Sequence, residues 1–260
     1  MQNKKRKLIS LQMIQFELRN TVGNPYVNIF GIGLPILLVY TISRVLVSEI
    51  PDASILSMAL TSIFLGIGAI VPMATVLIGY SASRAQEIEK EIPQRMELFG
   101  IKAKESICNK AVAEVIFILF AFTIYFTFGF LCMNIKIPTV SGALLYAACI
   151  FILSVIMFCI AHAIATIFKK FGITYCITML LYFAIMLLSG MMGVTYENMS
   201  SGMQAIAKLL PTTYINKDFY TVWAGESYNF MPMLQGYLLF AAIAGILLFI
   251  ALKRTARKLH

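Results

Sequence analysis

Charge is scarce in this sequence, and most of what could act chemically is gathered in one stretch, residues 81–110. There Glu87, Glu89, Arg95 and Lys110 surround three large apolar side chains, Ile92, Met96 and Phe99. No catalytic triad, H-E-x-x-H pattern or carboxylate cluster faces a pocket, so no catalytic residue is assigned. The phosphate-cradling G-x-x-x-x-G-K-[ST] pattern is absent as well. The five cysteines, Cys108, Cys132, Cys149, Cys159 and Cys176, form no C-x-x-C pair; they read as small hydrophobes, with no metal site. What the stretch can do is mechanical. Pro93 suits the first position of a helix and Gly100 the residue just past its end, which makes 94–99 a two-turn element. Ile92, Met96 and Phe99 then share one face, and a solvated loop gains nothing by exposing three such side chains together. Docking into a partner's groove is the expected use, with the membrane surface as the alternative.

The elements that must position this stretch follow from composition. The chain has 260 residues, 60% hydrophobic and 13% charged, against about 25% charged in soluble domains. Apolar runs near 26–43, 57–80, 111–133, 142–168, 172–192 and 232–252 are each long enough to cross a core of about 30 Å as helices. A lone strand in lipid would leave its backbone groups unpaired, so helices are required. The predicted class is an all-α integral membrane protein, one transmembrane domain over 1–260 with six spans. No cleaved signal is expected.

Lys and Arg set the orientation. The N-terminal tail, the 81–110 stretch, the Lys169-Lys170 turn and the C-terminal tail hold 17 of the 21, leaving Arg44, Lys136, Lys208 and Lys217 on the other side. Both termini and the 81–110 loop are therefore expected in the cytoplasm. The net charge of +9 is accounted for by those loops, and nucleic acid is not expected as a partner. Residues 7–20 place Leu8, Leu11, Ile14 and Leu18 at helical spacing, with Glu17 off the stripe, as in an interfacial helix. Asn24-Pro25 then turns the chain into span one. The segment 193–229 reads as external, re-entrant or interfacial, with two short helices and aromatics at Tyr214, Phe219, Tyr220 and Trp223.

An ionisable group at mid-bilayer costs at least about 2.5 kcal/mol and marks ion or proton relays. No run carries a carboxylate, Lys or Arg near its centre, and His162 is the one titratable group inside. A lone His in a span is more often a hydrogen-bonded packing residue, so proton- or sodium-driven transport is disfavoured and energy must come from a partner. Lys110 and Glu114, four residues apart, are expected to pair at the start of span three. Tyr175, Tyr182, Phe183 and Met186 in span five, with Phe64 in span two, form a candidate adaptable apolar pathway, suited to hydrophobic or amphipathic cargo over a sugar polymer. Ordinary packing is the plainer alternative for each.

Across essentially its whole length the sequence resembles the permease subunits of ABC type 2 exporters. The resemblance lies in the order of its motifs: an amphipathic helix running through Glu17-Leu18-Arg19-Asn20 into Asn24-Pro25-Tyr26, an acidic start Glu87-Ile88-Glu89-Lys90, a closing Lys110 before span three, and Leu210-Pro211-Thr212-Thr213-Tyr214 before the last span. Glu91-Ile92 stand where a Gly-Thr pair is common, and Asn109 where a Gly usually precedes the Lys. The resemblance implies a half-transporter. Two copies, or this chain with a related permease, would enclose a pathway and bind two cytoplasmic ATPase subunits that carry ATP and Mg, with no cofactor on this chain. It implies that Glu87, Glu89, Ile92, Arg95, Met96, Phe99, Gly100 and Lys110 couple the permease to that ATPase, and that the protein lies in a bacterial plasma membrane. Export of membrane-active peptides or drugs is the leading expectation. A polysaccharide or lipid-linked glycan exporter, a secondary transporter or channel, and a membrane sensor are the alternatives.

Overall fold

The computed structural model describes residues 8–256, so the basic residues Lys4, Lys5, Arg6, Lys7, Arg257 and Lys258 lie outside the described residues. The described chain is helical, with no strand among these residues. In order it forms α1 (Leu11–Val22), α2 (Pro25–Glu49), α3 (Ala53–Glu89), α4 (Ile92–Leu98), α5 (Ala103–Cys132), α6 (Val140–Phe168), α7 (Phe171–Leu188), α8 (Ser201–Ala207), α9 (Pro211–Lys217), α10 (Phe219–Ala224) and α11 (Met231–Ala256). Six of these, α2, α3, α5, α6, α7 and α11, are long and apolar enough to cross a membrane.

Local chemistry sets many of the boundaries. Asn24 accepts from the Tyr26 N–H at 3.0 Å with Pro25 in the first turn, which starts α2. Asp52 starts α3 by accepting from the Ser54 and Ile55 N–H groups at 2.8 and 3.2 Å. Thr139 accepts from Gly142 N–H at 3.1 Å at the start of α6, and Gly225, in the left-handed region at φ 84°, stops α10.

α3 is the axle of the bundle. Every residue from 64 to 82 is buried, surrounded by α2, α5, α6, α7, α9 and α10. A helix apolar on all sides can either face lipid or be wrapped by its neighbours, and here the neighbours wrap it. At 37 residues, or about 55 Å, it outruns a membrane core of about 30 Å. The helix does not give way to a loop at residue 81: it continues to Glu89, because Ala82, Arg84 and Ala85 stay buried against α6 and α7. α5 likewise begins at Ala103, before the apolar run does, so Glu87, Glu89 and Lys110 sit on helices.

At the other end of the bundle the segment between α7 and α11 contains three α-helices, not two, and it is built into the protein. Pro211, Thr212, Thr213, Ile215, Phe219, Val222 and Trp223 are buried, with α9 and α10 against α3 and α10 also against α6.

Candidate functional site

The end of the bundle holding α4 contains the densest set of charges among the described residues. Lys110, 6% exposed on α5, ion-pairs with Glu87 of α3 and lies 3.7 Å from the Glu17 carboxylate of α1. Arg84, also buried, donates to Glu87 at 3.4 Å. A buried charge is tolerated only when paired, so these contacts bind three helices into one unit. Asn109 strengthens it: its side-chain carbonyl accepts from Ser10 N–H at 2.9 Å, and its amide donates to the backbone carbonyls of Leu8 and Glu105 at 3.2 and 2.6 Å.

The expected Lys110–Glu114 pair is not made. Glu114 instead accepts from the Thr21 hydroxyl at 3.2 Å, because α1 packs along the start of α5, and Lys110 finds its anions in Glu87 and Glu17. Burial pushes the Glu17 carboxyl above the usual glutamate range, while Lys110 pulls it down. The same docking splits the α1 stripe. Glu17 and Thr21 face inward, Ile14 and Leu18 are half-buried, and Leu8, Leu11 and Phe16 are exposed.

α4 is set off by backbone turns at both ends. Glu91 takes a left-handed φ of 56°. A side chain there costs about 1–2 kcal/mol. At the far end Gly100 has φ 79°, its N–H donating to Glu97 at 2.8 Å and that of Ile101 to Met96 at 3.0 Å. This six-to-one closure needs a residue at ease in the left-handed region, which explains the glycine. The turn also breaks up the expected apolar face. Ile92 and Met96 line a cleft of about 1670 Å³ beneath α1, together with Met13, Phe16, Gln86 and Glu105. Phe99, beyond the last helical residue, is 78% exposed beside Leu98 at 87%. Leu98 was not singled out by periodicity, since it lies off the face shared by 92 and 96; its position beside the terminating Gly100 is the signal that could have found it. Arg95 is exposed on the same helix.

Glu87 and Lys110 therefore lie together behind α4, and Glu89 joins them in a supporting position. Its carboxylate accepts from Phe171 N–H at 2.9 Å, at the first residue of α7, where a helix N-terminus favours an anion.

The five pathway candidates do not form one surface. Phe64, Tyr182 and Met186 are buried; Phe64 stacks on Tyr125 with ring centroids 4.4 Å apart, and Tyr182 meets Phe30 edge-on at 6.4 Å. Phe183 is partly exposed beside Tyr182, whereas Tyr175 packs near the start of α2, 5.0 Å from the Tyr26 ring. Hydropathy is the same for a residue facing lipid, a pathway or a neighbouring helix, so it could not separate them. His162 accepts or donates a 2.7 Å hydrogen bond with the Tyr80 hydroxyl, a packing contact between α6 and α3.

The sequence profile of the ABC-2 type transporter family matches residues 11–222, from the first residue of α1 into α10. No curated protein and no solved structure matches the chain. With that match covering most of a chain built from six membrane-length helices, the protein is a multi-pass membrane permease component and belongs to the ABC-2 type transporter family.

Proposed function

We propose that this permease is the transmembrane half of an ATP-driven exporter, and that α4 is where a separate ATPase subunit docks. The observation that carries this reading is the pair Leu98 and Phe99, 87% and 78% exposed at the tip of a helix whose root is held by buried ion pairs. Isolated exposed apolar residues need no explanation, but two bulky ones on a rigid turn suit a partner's pocket. The excess of Lys and Arg in the segments at this end supports placing it, with both termini, in the cytoplasm. ATP and Mg would be held by two ATPase subunits, and a second permease, identical or related, would complete the pathway.

For cargo we favour hydrophobic or amphipathic molecules such as membrane-active peptides or lipophilic drugs. The mixed lining of the cleft under α1, with Phe16, Met13 and Met96 beside Glu105 and Gln86, supports that preference. The test uses Leu98→Asp and Phe99→Asp in the permease purified with its ATPase. Both variants are expected to insert and unfold normally while losing at least tenfold in ATPase association and in hydrolysis stimulated by an amphipathic peptide. Undiminished association would remove α4 as the docking element. Stimulation by a lipid-linked glycan alone would replace the cargo class.

A further inference from the structure

The longest helix of the protein is broken where it is most deeply buried. Ala69 N–H donates three residues back, to Gly66 at 3.1 Å, and not four back to Leu65. Pro72 has no N–H to offer the carbonyl of Gly68, and the helix widens to the π form from Met73 to Tyr80. Two tyrosines of neighbouring helices serve the carbonyls at the break. Tyr146 of α6 donates to Leu65 at 2.8 Å, and Tyr125 of α5 donates to Phe64 at 2.7 Å. Both rings are buried, so no bulk water can substitute.

The neighbouring span has the same weakness at the same level. α2 has its own π segment, Ile29–Gly33, which packs on that of α3, and a side chain at Gly31 would meet the Thr75 hydroxyl at 2.8 Å. The two halves of α3 also belong to partly different neighbourhoods. Before the break it packs on α9 and α10, and beyond it on α6 and α7, while α2 and α5 lie along both halves; the second half is ion-paired to α5 and leads directly into α4. A broken helix whose partners change in part across the break, and whose free carbonyls are served by side chains, has the construction of a hinge.

We infer that Tyr146 is a positioning residue: by holding the Leu65 carbonyl it keeps α3 broken at 66–72, so that the half bearing α4 moves as a lever. The direction of use, from ATPase to pathway, rests on the docking reading of α4, but the hinge itself does not. Without the hydroxyl, the Leu65 carbonyl is left unpaired in an apolar interior, which is unfavourable. The nearest remedy is for Ala69 N–H to return to it, which restores a continuous helix. Pro72→Ala reaches the same end by another route, giving Gly68 a backbone donor.

The experiment measures pulsed-EPR distances between spin labels at Gln86, exposed on the lever, and Leu252, exposed near the end of α11, in the full-length permease in lipid nanodiscs without ATPase. The unsubstituted protein should give a broad distribution. Tyr146→Phe and Pro72→Ala should each narrow it by at least half, and in the complex with ATPase each should abolish the ATP-dependent shift while the ATPase remains bound. If one variant fails to insert, the other decides. A lower melting temperature with an unchanged distribution would make Tyr146 structural only and overturn the inference. Failure of any ATPase to join the unsubstituted permease would overturn the docking reading, while the distance distributions would still decide the hinge.

Discussion

The two ends of the bundle are held together by opposite chemistry. At the α4 end, helices are joined by charges: Lys110 to Glu87 and Glu17, Arg84 to Glu87, and Glu89 to the first N–H of α7. At the other end the buried joints are neutral groups and rings, and the one ion pair there among the described residues, Lys217–Glu197 at 3.1 Å, is exposed. Trp223 donates to the Lys136 carbonyl at 2.7 Å and lies against Phe126 and Tyr146 at 6.1 and 5.7 Å, while Asn216 donates to the Ser189 carbonyl at 2.9 Å. The first end leaves a wide cleft and an exposed apolar tip; the second is filled by α9 and α10. Neutral packing holds one arrangement through close fit, whereas a set of ion pairs can exchange partners, which suits the end that must meet another protein.

Removing the central cation should break this contrast most severely. Lys110→Met strands the Glu17 carboxylate in a mostly buried site and leaves Glu87 with Arg84 alone, and a loss of about 3–5 kcal/mol is expected. Thermal unfolding in nanodiscs would register it, and a drop below about 1 kcal/mol would mean that the cluster is solvated in the membrane-bound protein. A second variant probes the neutral end. Trp223→Phe keeps an aromatic ring but leaves the Lys136 carbonyl unserved, so a smaller loss of about 1–3 kcal/mol is expected. ATPase association should be unaffected, and a loss of association would show that the two ends are not independent.

The smallest effect is a difference of sign with pH. Burial raises the Glu17 carboxyl, so its contribution to stability is complete below the unfolded value and is lost as pH rises through the folded one. Asp52, at the other end, is held below the usual range by hydrogen bonds, first from the Ser54 hydroxyl and then from the Ile55 and Ser54 N–H groups. Its contribution is present above the unfolded value and lost as pH falls through the folded one. Melting temperatures of Glu17→Gln and Asp52→Asn across the mildly acidic range should therefore depart from the parent in opposite directions: the first should remove a fall on raising pH, the second a fall on lowering it. Parallel shifts would contradict the assignment.

Much of this architecture was legible from residue order alone. Long uncharged runs mark six membrane-length helices because lipid forces backbone groups to pair within each segment, and the order of short motifs along those runs marks the family. Pro93 and Gly100 bracket a helix of the right size because both act through their own backbone geometry. Tertiary contacts decided the rest. Hydropathy is as high in lipid-facing helices as in α3, so only packing reveals that α3 is wrapped by its neighbours and that Phe64 is sealed inside the protomer. Lys110 meets Glu87 of α3 and Glu17 of α1 and not Glu114 because those distant helices pack beside it, and the exposure of Phe99 depended on where α4 stops. Local sequence sets what each residue can form with its near neighbours; which buried charge meets which, and where a uniformly apolar helix breaks, is settled only when distant segments compete for the same space.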